Sequence, residues 1–95
     1  MPDRRMPRPA WVIAESAALG HRIAISRAEA GLSQEALGDL AGVERRTIQR
    51  YEVGLRDPRY ADLLLIASAL QVPLSRLVPD VEPRPVAGDA DRPGR

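Results

Sequence analysis

Residues 31–54, GLSQEALGDLAGVERRTIQRYEVG, admit few conformations, because serine and glycine punctuate them where helices start and stop. Ser33 can accept a hydrogen bond from an unpartnered backbone N–H at a helix start, and Glu35 and Asp39 lie nearby to favour the positive end of the dipole. Gln34 is then the first helical residue. Leu37, Leu40 and Ala41 recur at helical spacing and form one apolar face. Gly42 can take positive φ, which ends the helix and turns the chain sharply. Val43 follows as an apolar turn residue, and Ile48 and Tyr51 are spaced as the buried face of a second helix that stops at Gly54. The pattern predicts two short helices, one tight turn and one shared core.

Gly38 points to close pairing of the two helices. Inside a helix Gly costs about 1 kcal/mol relative to Ala, so it is expected where a neighbouring helix crosses too closely for a side chain. The other face of the second helix carries Glu44, Arg45, Arg46, Gln49 and Arg50, none of which the fold requires. Such a cluster is either a solvated helix face or a contact surface, and these residues alone leave both readings open. A helix laid in the major groove meets base edges with its N-terminal residues. Arg can bond guanine O6 and N7 bidentately, and Gln can bond adenine N6 and N7.

Composition narrows the classes further. The 95 residues support one small domain with a single modest core. There is no Cys and only one His, so disulfides, thiolate metal sites and the usual metal or triad constellations are excluded, and no metal or other cofactor is expected. Ser, His and acidic residues occur without a spacing that links them, so the chain reads as non-enzymatic. The net charge of +1 is far below that of a non-specific nucleic-acid coat. All fourteen basic residues are Arg, a bias that either follows genome composition or suits phosphate and guanine. No apolar run approaches the ~20 residues of a membrane helix, and the N-terminus lacks the apolar core of a signal peptide, so a cytoplasmic location is expected.

Taken in order, residues 1–9 hold three Pro and three Arg and are expected to form a flexible arm, either a leader with no role or one that reaches along DNA. A helix should run from Ala10 to about Ala30, with Trp11, Ile13, Leu19, Ile23 and Ile25 among its apolar positions. After a Pro-containing turn, a further helix spans roughly Tyr60 to Gln71, with Leu63, Leu64, Ile66, Ala67 and Leu70 as core. Pro73 opens a last short helix, about 74–78, whose Leu77 and Val78 close that core. Residues 79–95 are rich in Pro, Gly, Asp and Arg and read as a disordered tail. Residues 10–78 are thus the expected domain.

From Leu19 to about Val78 the chain resembles the DNA-binding domain of the phage-repressor and Cro type, the XRE family. The likeness is carried by Gly31 Leu32 Ser33 Gln34, Leu37 with a small residue after it, Gly42 Val43, Thr47 Ile48, Tyr51 Glu52 and Gly54. Pro58, Leu63 Leu64, Ile66 Ala67, Ala69 Leu70 and Val72 complete it. The resemblance implies an all-α fold, a five-helix lambda-repressor-like DNA-binding domain with a helix-turn-helix. Trp11 to Ala18 precede the matching residues, so the first helix is N-terminally extended.

The function implied is that of a sequence-specific double-stranded DNA-binding transcriptional regulator, a homodimer on a palindromic operator with helix three in the major groove. Glu44, Arg45, Arg46, Gln49 and Arg50 would read bases, and Gln34, Thr47, Arg56 and Arg59 would contact phosphates. Arg27 and Glu52 match a pair that fixes the first helix against the third and touches no base. Three positions depart from the family pattern. Ser26 stands where a bulky apolar residue is usual, with Ile25 as a candidate replacement. Leu65 stands at a usually polar position, and either packs with Trp11 or Ile13, meets a second subunit or is simply exposed. Glu44 replaces the usual small hydroxyl residue. Two other readings share the fold: an antitoxin that binds a toxin as well as its operator, and a protein-interaction module that has lost DNA binding.

Overall fold

A computed structural model describes residues 8–85. Among them are five helices and no strand: α1 (Ala10–Glu29), α2 (Gln34–Ala41), α3 (Arg45–Glu52), α4 (Tyr60–Leu70) and α5 (Leu74–Leu77). The chain is all-α, as expected. Pro9 leads into α1 with its carbonyl accepting from the amides of Val12 and Ile13 at 3.0 and 3.2 Å, and its fixed φ suits a helix entrance. Ser33 caps α2, its hydroxyl accepting from the Ala36 amide at 2.9 Å. Gly42 closes α2 with φ 73°, a left-handed conformation that a Cβ would disfavour. The Val43 amide then returns to the Gly38 carbonyl at 2.9 Å, so the turn is fastened within itself.

Every helix sends at least one side chain to the same centre. Ile23 of α1, Leu37 of α2, Ile48 and Tyr51 of α3, Ile66 of α4 and Leu77 of α5 are all completely or almost completely buried. Burial of side chains of this size stabilises by about 1.5–3 kcal/mol each, which makes this cluster the main source of cohesion. Two glycines let the backbones approach. A Cβ on Gly38 would lie 2.4 Å from the Val43 carbonyl oxygen in the turn and 3.4 Å from the backbone nitrogen of Arg45, where α3 begins, so the expected close approach is made by the turn and the first residue of the second helix. The other approach is at Gly20, where a Cβ would lie 2.3 Å from the Tyr51 carbonyl oxygen and 2.9 Å from that of Glu52. This seats α1 directly on the end of α3.

Several core expectations need correction. Leu40 is 63% exposed. The buried stripe of α2 runs through Leu37, Gly38 and Ala41, and at 3.6 residues per turn Leu40 lies some 200° round from Gly38. Leu64 and Val78 are also exposed, because Leu63, Ile66, Ala67 and Leu70 already fill the inward side of α4 and Leu77 alone completes α5. Ser26 is buried, and Ile25 does not stand in for the missing bulk, since it faces solvent. Leu65 is exposed as well.

Beyond α5, residues 79–85 have no regular structure but run back to the extended start of α1. The Trp11 indole donates to the Pro85 carbonyl at 3.2 Å, and the Arg84 guanidinium stands 5.5 Å from the Trp11 ring centre. Arg22 donates to the Leu77 carbonyl at 2.7 Å and ties α1 to α5. The rest of the expected arm and tail, residues 1–7 and 86–95, lies outside the described residues. Among the described residues no helix is long and apolar enough to cross a membrane.

Candidate nucleic-acid interface

Helix α3 starts at Glu44, an extended residue whose carbonyl accepts from the amides of Thr47 and Ile48 at 2.9 and 3.0 Å. The Glu44 side chain makes no capping bond, so its carboxylate is left at the helix entrance. Ile48 and Tyr51 turn inward against α1 and α2. Rotation of about 100° per residue then sends Arg46, Gln49 and Arg50 to the opposite side, with Arg45 on the flank. All four are exposed, as is Glu44. Among the described residues Arg45, Arg46 and Arg50 form no ion pair. Their charge is therefore uncommitted and projects from a helix whose position is fixed by the core.

Behind that face a polar cluster locks α3 to the rest of the domain. Arg27 donates through Nε to Glu52 Oε2 at 2.6 Å and through Nη2 to Oε1 at 3.0 Å, while Nη1 reaches the Leu32 carbonyl at 2.9 Å. The side-chain hydrogen bond from Arg27 to Glu52 raises the guanidinium pKa above its ordinary value, against the opposing effect of burial. The Arg27 and Glu52 side chains are only 19% and 5% exposed, and a pair of that kind leaves a costly lone charge when one partner is removed. Gln34, expected to face a phosphate, gives its side-chain amide to Glu52 Oε1 at 2.9 Å. It thereby joins the first turn of α2 to the end of α3.

A second buried contact was not read from the sequence. Tyr51 donates its hydroxyl to Asp62 Oδ2 at 2.5 Å, and Asp62, in the first turn of α4, is only 6% exposed. Burial pushes the Tyr51 pKa up, and the bond to Asp62 adds to the shift. A buried tyrosine needs a partner for its O–H, and that requirement was the available signal. No local spacing links residues 51 and 62, so the partner's identity waits on the tertiary fold.

Between α3 and the loop that follows it lies an open cleft of about 270 Å³, lined by Glu44, Thr47, Arg56 and Arg59, with Tyr51 and Asp62 also on its wall. Arg59 lies 3.7 Å from Asp62 with a side chain 74% exposed. The structure thus brings Thr47, Arg56 and Arg59 to one concavity beside α3, while Gln34 does not line it and bonds Glu52 instead.

Comparison with known proteins agrees with this geometry. The family model HTH_3, described as helix-turn-helix, matches residues 23–77, more than half of the chain. The restriction-modification controller protein C.AhdI from Aeromonas hydrophila is 33% identical, with a TM-score of 0.66, over 67% of this chain and 97% of its own. The P22 c2 repressor, solved in complex with synthetic operator 9T, is 32% identical with a TM-score of 0.59, over 62% of this chain and 89% of its own. A transcriptional regulator of the HTH_3 family from Vibrio cholerae is 28% identical with a TM-score of 0.65, over 68% of this chain and 36% of its own. No curated protein sequence matches the chain. The uncommitted face of α3, the capped α2, the glycine turn and these likenesses agree: the chain belongs to the helix-turn-helix family of repressor type and is a non-enzymatic DNA-binding transcriptional regulator.

Proposed function

We propose that this regulator acts as a homodimer that reads a palindromic double-stranded operator, each copy placing α3 in the major groove. One observation carries the reading: Arg45, Arg46, Gln49 and Arg50 are exposed on a helix that Ile48, Tyr51 and the Arg27–Glu52 pair hold rigidly from behind. Arg45, Arg46 and Gln49 are the base readers, through bidentate bonds to guanine or adenine. Glu44 can accept from a cytosine amino group, and Arg50 extends the same face. Arg56, Arg59 and Thr47 face phosphates from the cleft beside α3. Gln34 adds a phosphate contact through the amide hydrogen that Glu52 leaves over, beside the open backbone amides at the start of α2.

A single α3 covers only a few base pairs, so two copies on half-sites about one helical turn apart are needed for useful affinity. The resemblance to a restriction-modification controller and to a repressor solved on its operator supports this arrangement. Selection of bound duplexes from a random library tests it, and a two-fold symmetric consensus is the expected result. Replacement of Arg46 with Ala should then cost about 1–3 kcal/mol on the consensus and relax preference at one base pair of each half-site. An equal loss on every sequence would make Arg46 a phosphate contact and overturn its assignment.

A further inference from the structure

The family match begins at residue 23, whereas α1 begins at Ala10, so more than three turns of helix lie outside it. These turns build a second concavity. Ile13 and Ala17 form one wall, and Val53, Leu55 and Arg56 form the other, with Arg8 and Asp57 at the rim. Arg56 lines both this groove and the cleft beside α3. Arg59 on the cleft and Arg8 on the groove are therefore linked through Arg56, which borders both.

In the free protein Arg8 Nη1 lies 3.8 Å from Asp57 Oδ2, and the two side chains are 68% and 52% exposed. A pair so long and so solvated is weakly held. A carboxylate and a phosphate offer a guanidinium the same two-oxygen geometry, and a duplex presents its phosphates as a dense row whose neutralisation releases bound counterions, which favours the exchange. We propose that Arg8, held just ahead of the extended first helix, is an additional DNA-phosphate contact, and that Asp57 occupies it until a phosphate takes its place. By holding Arg8 beside Asp57, the extension adds one residue from outside the family match to the phosphate track. This inference rests on the DNA-binding reading above and adds to it a contact and an internal competitor.

The two roles of Asp57 give opposite signs, which makes them separable. Affinity of the full chain is measured by fluorescence anisotropy on the selected operator and on a scrambled duplex, each at several salt concentrations. Replacement R8A should weaken both duplexes by the same factor, roughly five- to tenfold at about 0.1 M salt, and lower the salt slope by about 0.9 per protomer. Replacement D57N should strengthen both, because it frees Arg8. The gain from D57N should shrink when R8A is already present. An unchanged slope in R8A overturns the proposal, and so does a loss confined to the operator. If D57N weakens binding, the pair is structural; if its gain is the same with and without Arg8, Asp57 merely repels DNA. Either result also overturns the exchange. Circular dichroism and urea melts of both variants identify any loss that comes from unfolding. Failure of the unsubstituted chain to select any operator sinks the parent reading, whereas normal selection with an indifferent Arg8 sinks this one alone.

Discussion

Tyr51 holds its hydroxyl in the core, and Asp62 is the acceptor that makes this tolerable. The consequence is a pH dependence with a definite sign. Below about pH 10 the hydroxyl keeps its proton in both folded and unfolded chains, so the contact contributes fully. Above that value the unfolded chain releases the proton first, because burial and the Asp62 bond have raised the folded pKa. The folded state then binds more protons and stability falls as pH rises. Urea melts from about pH 8 to about pH 11 should show this decline. Tyr51→Phe should flatten it while costing about 1–3 kcal/mol at the lower pH, where Asp62 is left without its donor. Glycines mark how far single residues could be read. Gly38 was legible as a close approach because a helical Gly is costly. Gly20 carried the same signal in the middle of α1, and the α1–α3 crossing seated on it could have been inferred in the same way. The Arg27–Glu52 pair was legible only through the family pattern, since nothing local connects residues 25 apart.

At the level of elements, helix ends were legible wherever the residue type forces them. Ser33, Gly42 and Pro73 stand at boundaries because each supplies a cap, a positive φ or a fixed φ. The faces were less legible, because an apolar residue at helical spacing reports periodicity and not which arc a neighbour covers; Leu40 and Leu64 were misplaced for that reason. The end of α4 shows a further limit. Gln71 adopts φ 59°, and its amide and that of Val72 return to the carbonyls of Ser68 and Ala67 at 3.0 Å. Nothing about glutamine announces a left-handed residue, and the conformation costs an L side chain about 1–2 kcal/mol. Glycine escapes that strain but gives up about 0.5–1 kcal/mol of chain entropy. Gln71→Gly should therefore stabilise the domain by roughly 0.5–1 kcal/mol, with a rise in the urea midpoint at unchanged slope. Gln71→Ala, which keeps a Cβ in the same strain, should give no such rise.

For the molecule as a whole, a net charge of +1 means that general attraction to DNA is weak and that placement of charge must do the selecting. The described acidic residues past α5, Asp80 and Glu82, lie on the chain that returns to the start of α1, while three uncommitted arginines project from α3. Binding strength should accordingly be governed by a small, countable set of phosphate contacts. A dimer whose Arg56 and Arg59 each neutralise one phosphate should lose affinity with a logarithmic salt slope of about −3.6, and one Arg8 contact per protomer takes it to about −5.4. Bases read by hydrogen bonds from Arg45, Arg46 and Gln49 release fewer counterions, so they should set the gap between operator and scrambled duplex more than the slope itself. Titration of both duplexes over about 0.05–0.2 M salt measures the two quantities independently. Nearly parallel lines offset by several decades would place specificity on α3 and affinity on the loop. A slope near −10 would mean that the arginines of α3 also neutralise phosphates, and the division of labour between α3 and the loop would then be wrong.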